Sequence, residues 1–164
     1  MNRYHKIDDA LRREIDSIEP SMDGQIAYYP CSVMLKSGAK VQFVCIAEAE
    51  SYFEKWGVWP ENDSSKRSIL IEDIAHISES ENRLPARFAS QLYISGESGM
   101  GYYKFRLKFT NGLIQSYLCY SLVDFIIYPE GLFAKDIVNI TRDNTYTTED
   151  AITSPNYSWC LYSE

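Results

Sequence analysis

Residues 103–120, YKFRLKFTNGLIQSYLCY, decide the fold. Tyr103, Phe105, Leu107 and Phe109 alternate with Lys104, Arg106 and Lys108, a period of two that sends apolar side chains to one face of a strand and cations to the other. Asn111-Gly112 then interrupts the run. Both residues accept positive φ at low cost, so the pair suits a tight turn between antiparallel strands, and residues 113–120 read as the returning strand.

An earlier stretch echoes this hairpin. Sliding Gly38 onto Gly112 places Phe43 on Tyr117, Val44 on Leu118 and Cys45 on Cys119. Further along, Asp73-Ile74 and Ile77 match Asp136-Ile137 and Ile140, giving D-I-x-x-I twice. The spacing between hairpin and D-I-x-x-I is longer in the first copy, which places an insertion around residues 56–68. Two related β-units follow from this, each a hairpin and then a strand.

Composition bounds the remainder. The chain has 164 residues, enough for a sizeable core, and is rich in aromatics with 13 Tyr, 7 Phe and 3 Trp. Tyr and Trp join a large apolar body to a polar tip, which serves half-buried sheets and recognition surfaces alike. A net charge of −7 disfavours a nucleic-acid backbone or an anionic membrane as partner and allows a basic protein. Cys31, Cys45, Cys119 and Cys160 form no C-x-x-C pair and have no adjacent His, so zinc and haem spacings are absent and no cofactor is expected. The thiols read as free and buried. The first residues carry no apolar leader, and no window approaches the ~18 apolar residues of a membrane span, so a reducing cytoplasm is expected.

Taken in order, Ile7, Leu11, Ile15 and Ile18 recur at helical spacing among charged residues, an amphipathic helix over about 6–18 that ends before Pro20. His5 reads as a solvated terminal residue and His76 as a surface histidine. Residues 47–55 favour helix. Residues 86–94 suit a short helix or strand, 122–128 a strand, and 142–158 an irregular segment. Residues 157–162 add a last strand. The expected fold is α+β, mainly antiparallel β with an N-terminal amphipathic helix. Two similar hairpin-based β-units lie over about 26–80 and 102–142, as SH3-like barrels or one continuous sheet, within a single compact domain, 1–164.

The helical stretch 47–55 and the insertion after it supply the candidate partner-binding residues: Glu48, Glu50, Tyr52, Glu54, Trp56, Trp59, Glu61 and Asp63. Aromatic anchors in an acidic surround suit a basic protein, because the rings supply buried contact and the charges steer encounter. The competing structural reading plugs both tryptophans into the core. Gly96-Glu97-Ser98-Gly99-Met100-Gly101 is the other tempting stretch, with Glu97 and Ser98 as an alternative loop site for a small hydrolase or ligand-binding enzyme. It lacks the second glycine of a nucleophile elbow and the Lys-Ser/Thr of a phosphate loop. A third alternative is a small-barrel nucleic-acid binder using Lys104, Arg106 and Lys108. The catalytic inventory is sparse, which favours a binding protein. An acidic cytoplasmic inhibitor of a basic toxin domain such as a nuclease, in the manner of a bacterial immunity protein, fits size, charge and the lack of motifs.

Overall fold

The structure, a computed structural model, describes residues 3–145 and 150–164. In chain order the elements are α1 (Asp9–Asp16), β1 (Ser21–Asp23), β2 (Ile26–Leu35), β3 (Lys40–Glu48), α2 (Ala49–Trp56), β4 (Arg67–Leu70), β5 (Ile74–Glu79), α3 (Ala86–Ser95), β6 (Tyr102–Phe109), β7 (Ile114–Tyr120), β8 (Ile137–Arg142), β9 (Ile152–Thr153) and β10 (Ser158–Tyr162). The fold is α+β and mostly antiparallel. The strands form two separate open sheets, of six and four strands, and neither closes into a barrel among the described residues. The chain divides into two compact units, Met1–Ser80 with Asn156–Glu164, and Glu81–Pro155.

In the first unit, β2 and β3 form the earlier hairpin, β10 lies parallel between β3 and β4, and β1 and β5 pair antiparallel with β2. Flanked on both sides, β10 is apolar on both faces: Trp159, Cys160, Leu161 and Tyr162 are all buried. Helix α1 starts where the Asp8 carboxylate accepts the Leu11 N–H at 2.8 Å, an N-cap, and its Leu11 and Ile15 pack with Ile18 on Val33, Val44, Ile46, Ile74 and Ile77. Glu14 of the same helix accepts the Ile77 N–H and meets His76 Nδ1 at 3.1 Å, which ties α1 to the outer edge of β5.

The second unit repeats the first in detail. Strands β6 and β7 form the hairpin, β8 pairs antiparallel with β6, and β9 runs parallel to β7. Gly38 and Gly112 sit at φ +93 and +88, each donating its N–H back across the turn, to the Leu35 and Phe109 carbonyls, at 2.9 Å. One residue further into each turn's first strand end, the Lys36 and Thr110 N–H groups donate to the Asp73 and Asp136 carbonyls, both at 2.8 Å. The first strand of each hairpin slips register against its D-I-x-x-I partner at the matching step, between Met34 and Leu35 and between Lys108 and Phe109. Generic hairpins share a glycine turn. They do not share a bulge at the same residue, an Asp carbonyl on the same N–H and a parallel third neighbour. Because both glycines occupy left-handed backbone, Gly38→Ala and Gly112→Ala are each expected to lose about 1 kcal/mol of stability. Chemical denaturation of the two variants checks this; a loss at one turn alone contradicts their equivalence.

One local reading differs from the expectation. The apolar run 122–128 is no strand, although Leu122, Val123, Phe125 and Ile126 are buried. Its backbone is satisfied elsewhere: Val123 N–H donates to the Tyr93 hydroxyl (3.0 Å), Ile126 N–H to the Asn82 carbonyl (2.9 Å), and the Asp124 carbonyl accepts the Leu84 N–H (2.8 Å). Residues 68–78 split into β4, a 3₁₀ turn at Ile71–Asp73 and β5. In β3, Val44 rather than Phe43 turns inward, because a bulge opposite Ser32 places Phe43 at φ 58 and breaks the alternation. The expected irregular segment lies partly outside the described residues, and its described end carries β9. All four cysteines are free and buried. Burial pushes the Cys119 thiol up to about 12 and Cys160 in the same direction, so both stay protonated and unreactive at neutral pH.

Candidate functional site

Helix α2 divides the candidate residues between its two faces. Glu48 precedes it and accepts the Glu50 and Ser51 N–H groups at 2.9 and 2.8 Å, so this carboxylate is the N-cap. Ala49, Tyr52 and Trp56 follow the inward stripe. Tyr52 is fully buried, with its ring 4.8 Å from Trp159 edge-on and 6.1 Å from the stacked Trp56. Tyr52 belongs to the core, and the half-buried Trp56 packs against it. Lys55 reaches Asp23 at 2.9 Å and pins the helix to β1.

The insertion also uses much of its acidic and aromatic character on the chain's own cations. Lys66 Nζ lies 4.3 Å from the Trp56 ring centre, donates to the Tyr52 hydroxyl at 3.0 Å and sits 3.6 Å from Asp63. Burial lowers the Lys66 pKa, against the pull of Asp63. Arg3 lies 5.5 Å over Trp59 and pairs with Glu61 at 3.1 Å, while the Tyr4 hydroxyl donates to the same carboxylate at 2.7 Å. Burial alone would raise Glu61; the Tyr4 and Arg3 hydrogen bonds hold it below its ordinary value. Asp63 also accepts from the Ser65 hydroxyl and N–H.

What remains outward on α2 is Glu50, Phe53 and Glu54, at the i, i+3 and i+4 positions of one face. Phe53 is 42% exposed, a large apolar side chain in water, and stacks on the half-buried Trp59 with ring centres 4.5 Å apart. Val58, just beyond the helix, is 37% exposed. Neither Glu50 nor Glu54 has an ion-pair partner among the described residues. Of the eight residues singled out from the sequence, the structure therefore brings Glu50, Glu54 and Trp59 to one surface, and Phe53 joins them. Phe53 was legible as the residue three past Glu50 and one before Glu54 on a helix.

The two functional groups of the loop 96–101 are engaged by the loop itself and by the start of β6. Glu97 accepts the Gly101 N–H at 2.9 Å, and the Ser98 hydroxyl accepts the Lys104 N–H at 2.8 Å and donates to its carbonyl at 3.4 Å. No His or carboxylate side chain is bonded to Ser98 among the described residues. The cations of β6 are likewise engaged. Lys104 is 3% exposed and lies 3.6 Å from the equally buried Asp143, which also pairs with Arg106 at 3.2 Å; Lys108 is exposed. Among the described residues no group of three or more His, Cys, Asp or Glu is placed to hold a metal ion, and no helix is long and apolar enough to cross a membrane. His5 and His76 sit on the surface against Glu72 (2.8 Å) and Glu14 (3.1 Å).

No family model, no curated protein and no solved structure matches this chain.

Proposed function

We propose that the chain is a non-enzymatic binding protein, an acidic cytoplasmic inhibitor that neutralises a basic protein such as a toxin nuclease domain, in the manner of a bacterial immunity protein. One observation carries the reading: an exposed aromatic, Phe53, stacked on the half-buried Trp59 and flanked on its helix by two carboxylates with no ion-pair partner among the described residues. Phe53 offers apolar contact once water is excluded, and Glu50 and Glu54 attract a cationic surface at long range. The net charge of −7 adds to that attraction.

Phe53→Ala is expected to weaken partner binding by about 2 kcal/mol, the scale of an interfacial anchor. Glu54→Lys should act mainly on the association rate and on its salt dependence. Glu54→Lys should move stability by no more than about 0.5 kcal/mol, because its side chain faces solvent, whereas Phe53→Ala should cost about 0.5–1.5 kcal/mol through the lost stack on Trp59 and still leave the chain folded. Calorimetric titration against the purified partner, with a melting curve for each variant, checks both halves. Unchanged affinity in both variants would remove α2 as the interface.

A further inference from the structure

Next to this helix face, the first unit holds a cleft of about 480 Å³, a size within the ~300–1,000 Å³ of ligand pockets. Its floor is Gln25, Ala27 and Tyr29, at and beside β2, with Tyr29 half-buried where it packs against the α1 core; one wall is the start of α2 with Glu48, Glu50 and Ser51, and the other is Tyr162 with Glu164. Arg12 of α1 also lines it. The guanidinium of Arg12 lies 5.1 Å from the Tyr162 ring centre and pairs with Glu164. The cleft thus already seats one guanidinium on an aromatic face against a carboxylate.

The lining has a second set of the same groups that is not in use. Tyr29 is half-buried and its hydroxyl has no hydrogen-bond partner among the described residues, and Glu50 has no ion-pair partner. The Glu48 carboxylate that caps α2 also lines the cleft. Three carboxylates against one arginine leave the cleft net negative. We infer that this cleft is a specificity pocket for an arginine side chain of the basic partner, held between Tyr29 and Glu50, with Arg12 as the chain's own competing occupant. The inference rests on the proposed function and names the chemical group which that interface recognises. Arginine suits the site better than lysine, because a planar guanidinium both stacks on tyrosine and forms paired hydrogen bonds to a carboxylate.

The test uses the full chain, with L-argininamide as probe and L-norleucinamide and L-lysinamide as controls, followed by amide NMR. The expected result is saturable shifts at Gln25, Ala27, Tyr29, Ser51 and Tyr162 with argininamide, weaker ones with lysinamide and none that saturate with norleucinamide. Glu50→Gln should weaken argininamide about tenfold, the loss of one charge-assisted contact. Arg12→Ala should tighten it by vacating the competing cation. Shifts that fail to saturate, or an affinity indifferent to Glu50→Gln and to Arg12→Ala, would overturn the inference. Phe53 does not line the cleft, so partner binding that is sensitive to Phe53→Ala while argininamide fails would sink the pocket and leave the α2 interface standing.

Discussion

Trp159→Ala is expected to cost about 3–5 kcal/mol, the largest loss any single truncation in the first unit should produce. Trp159 is 1% exposed near the start of β10, the strand that joins β3 to β4. Its indole meets the rings of Tyr52 at 4.8 Å, Tyr28 and Tyr157 at 5.7 Å and Trp56 at 5.9 Å, all four edge-on and belonging to β2, α2 and the approach to β10. Removing it opens a cavity walled by bulky rings held in their own packing, which collapse poorly. Trp159→Phe keeps part of those contacts and should lose markedly less. Urea unfolding of both variants checks the order; a loss below about 1 kcal/mol for the alanine variant would show that β10 does not organise this core.

Asp143→Ala should be the costliest polar substitution, by about 3–5 kcal/mol, since it strands the buried Lys104 ammonium. Lys104 and Asp143 are 3% and 4% exposed, and the same carboxylate holds Arg106 at 3.2 Å and accepts from the Thr145 N–H (3.0 Å) and hydroxyl (2.8 Å). Lys104 Nζ reaches the Thr145 carbonyl at 2.8 Å, so the network also anchors the chain after β8. Burial alone would raise the Asp143 pKa; the Thr145 hydrogen bonds, then Arg106 and Lys104, hold it below its ordinary value. A carboxyl depressed in the folded state stabilises fully above its unfolded pKa and loses that contribution as pH falls through the folded one. The gap in stability between the wild type and Asp143→Asn should therefore be widest near neutrality and narrow below about pH 4. A gap independent of pH would contradict the ionised pair. The double change Lys104→Met with Asp143→Leu should recover much of the loss, as replacing both members of a buried pair often does.

The hairpins, the α1 stripe and the repeated D-I-x-x-I strands were legible because each is a local period, two along a strand or about 3.6 along a helix, written in consecutive residues. The repeat was legible in the same way, and its finest match, the bulges at Met34/Leu35 and Lys108/Phe109, emerged only from strand pairing. The 122–128 run misled because apolar content reports burial and not backbone pairing; its N–H groups find Tyr93 and Asn82, remote in sequence. Lys104 alternates outward on β6, yet Asp143 and Thr145 cover it.

The α2 insertion was legible as an aromatic and acidic cluster. Which of its members stay available was not, because the residues that occupy the rest come from elsewhere: Arg3 on Trp59 and Glu61, Trp159 behind Tyr52 and Trp56. Subtracting those contacts leaves Glu50, Phe53 and Glu54.

That remainder is tested most directly by parallel capture from the native host lysate at low salt, wild type against Glu50→Lys/Glu54→Lys, with elution by a salt step and mass spectrometry of the eluate. The expected result is one stoichiometric basic protein released by salt from the wild type and missing from the charge-reversed variant, while a control variant, Lys135→Glu, retains it. Equal retention by all three, or no basic protein held by the wild type, would contradict an acidic α2 face as the site of recognition.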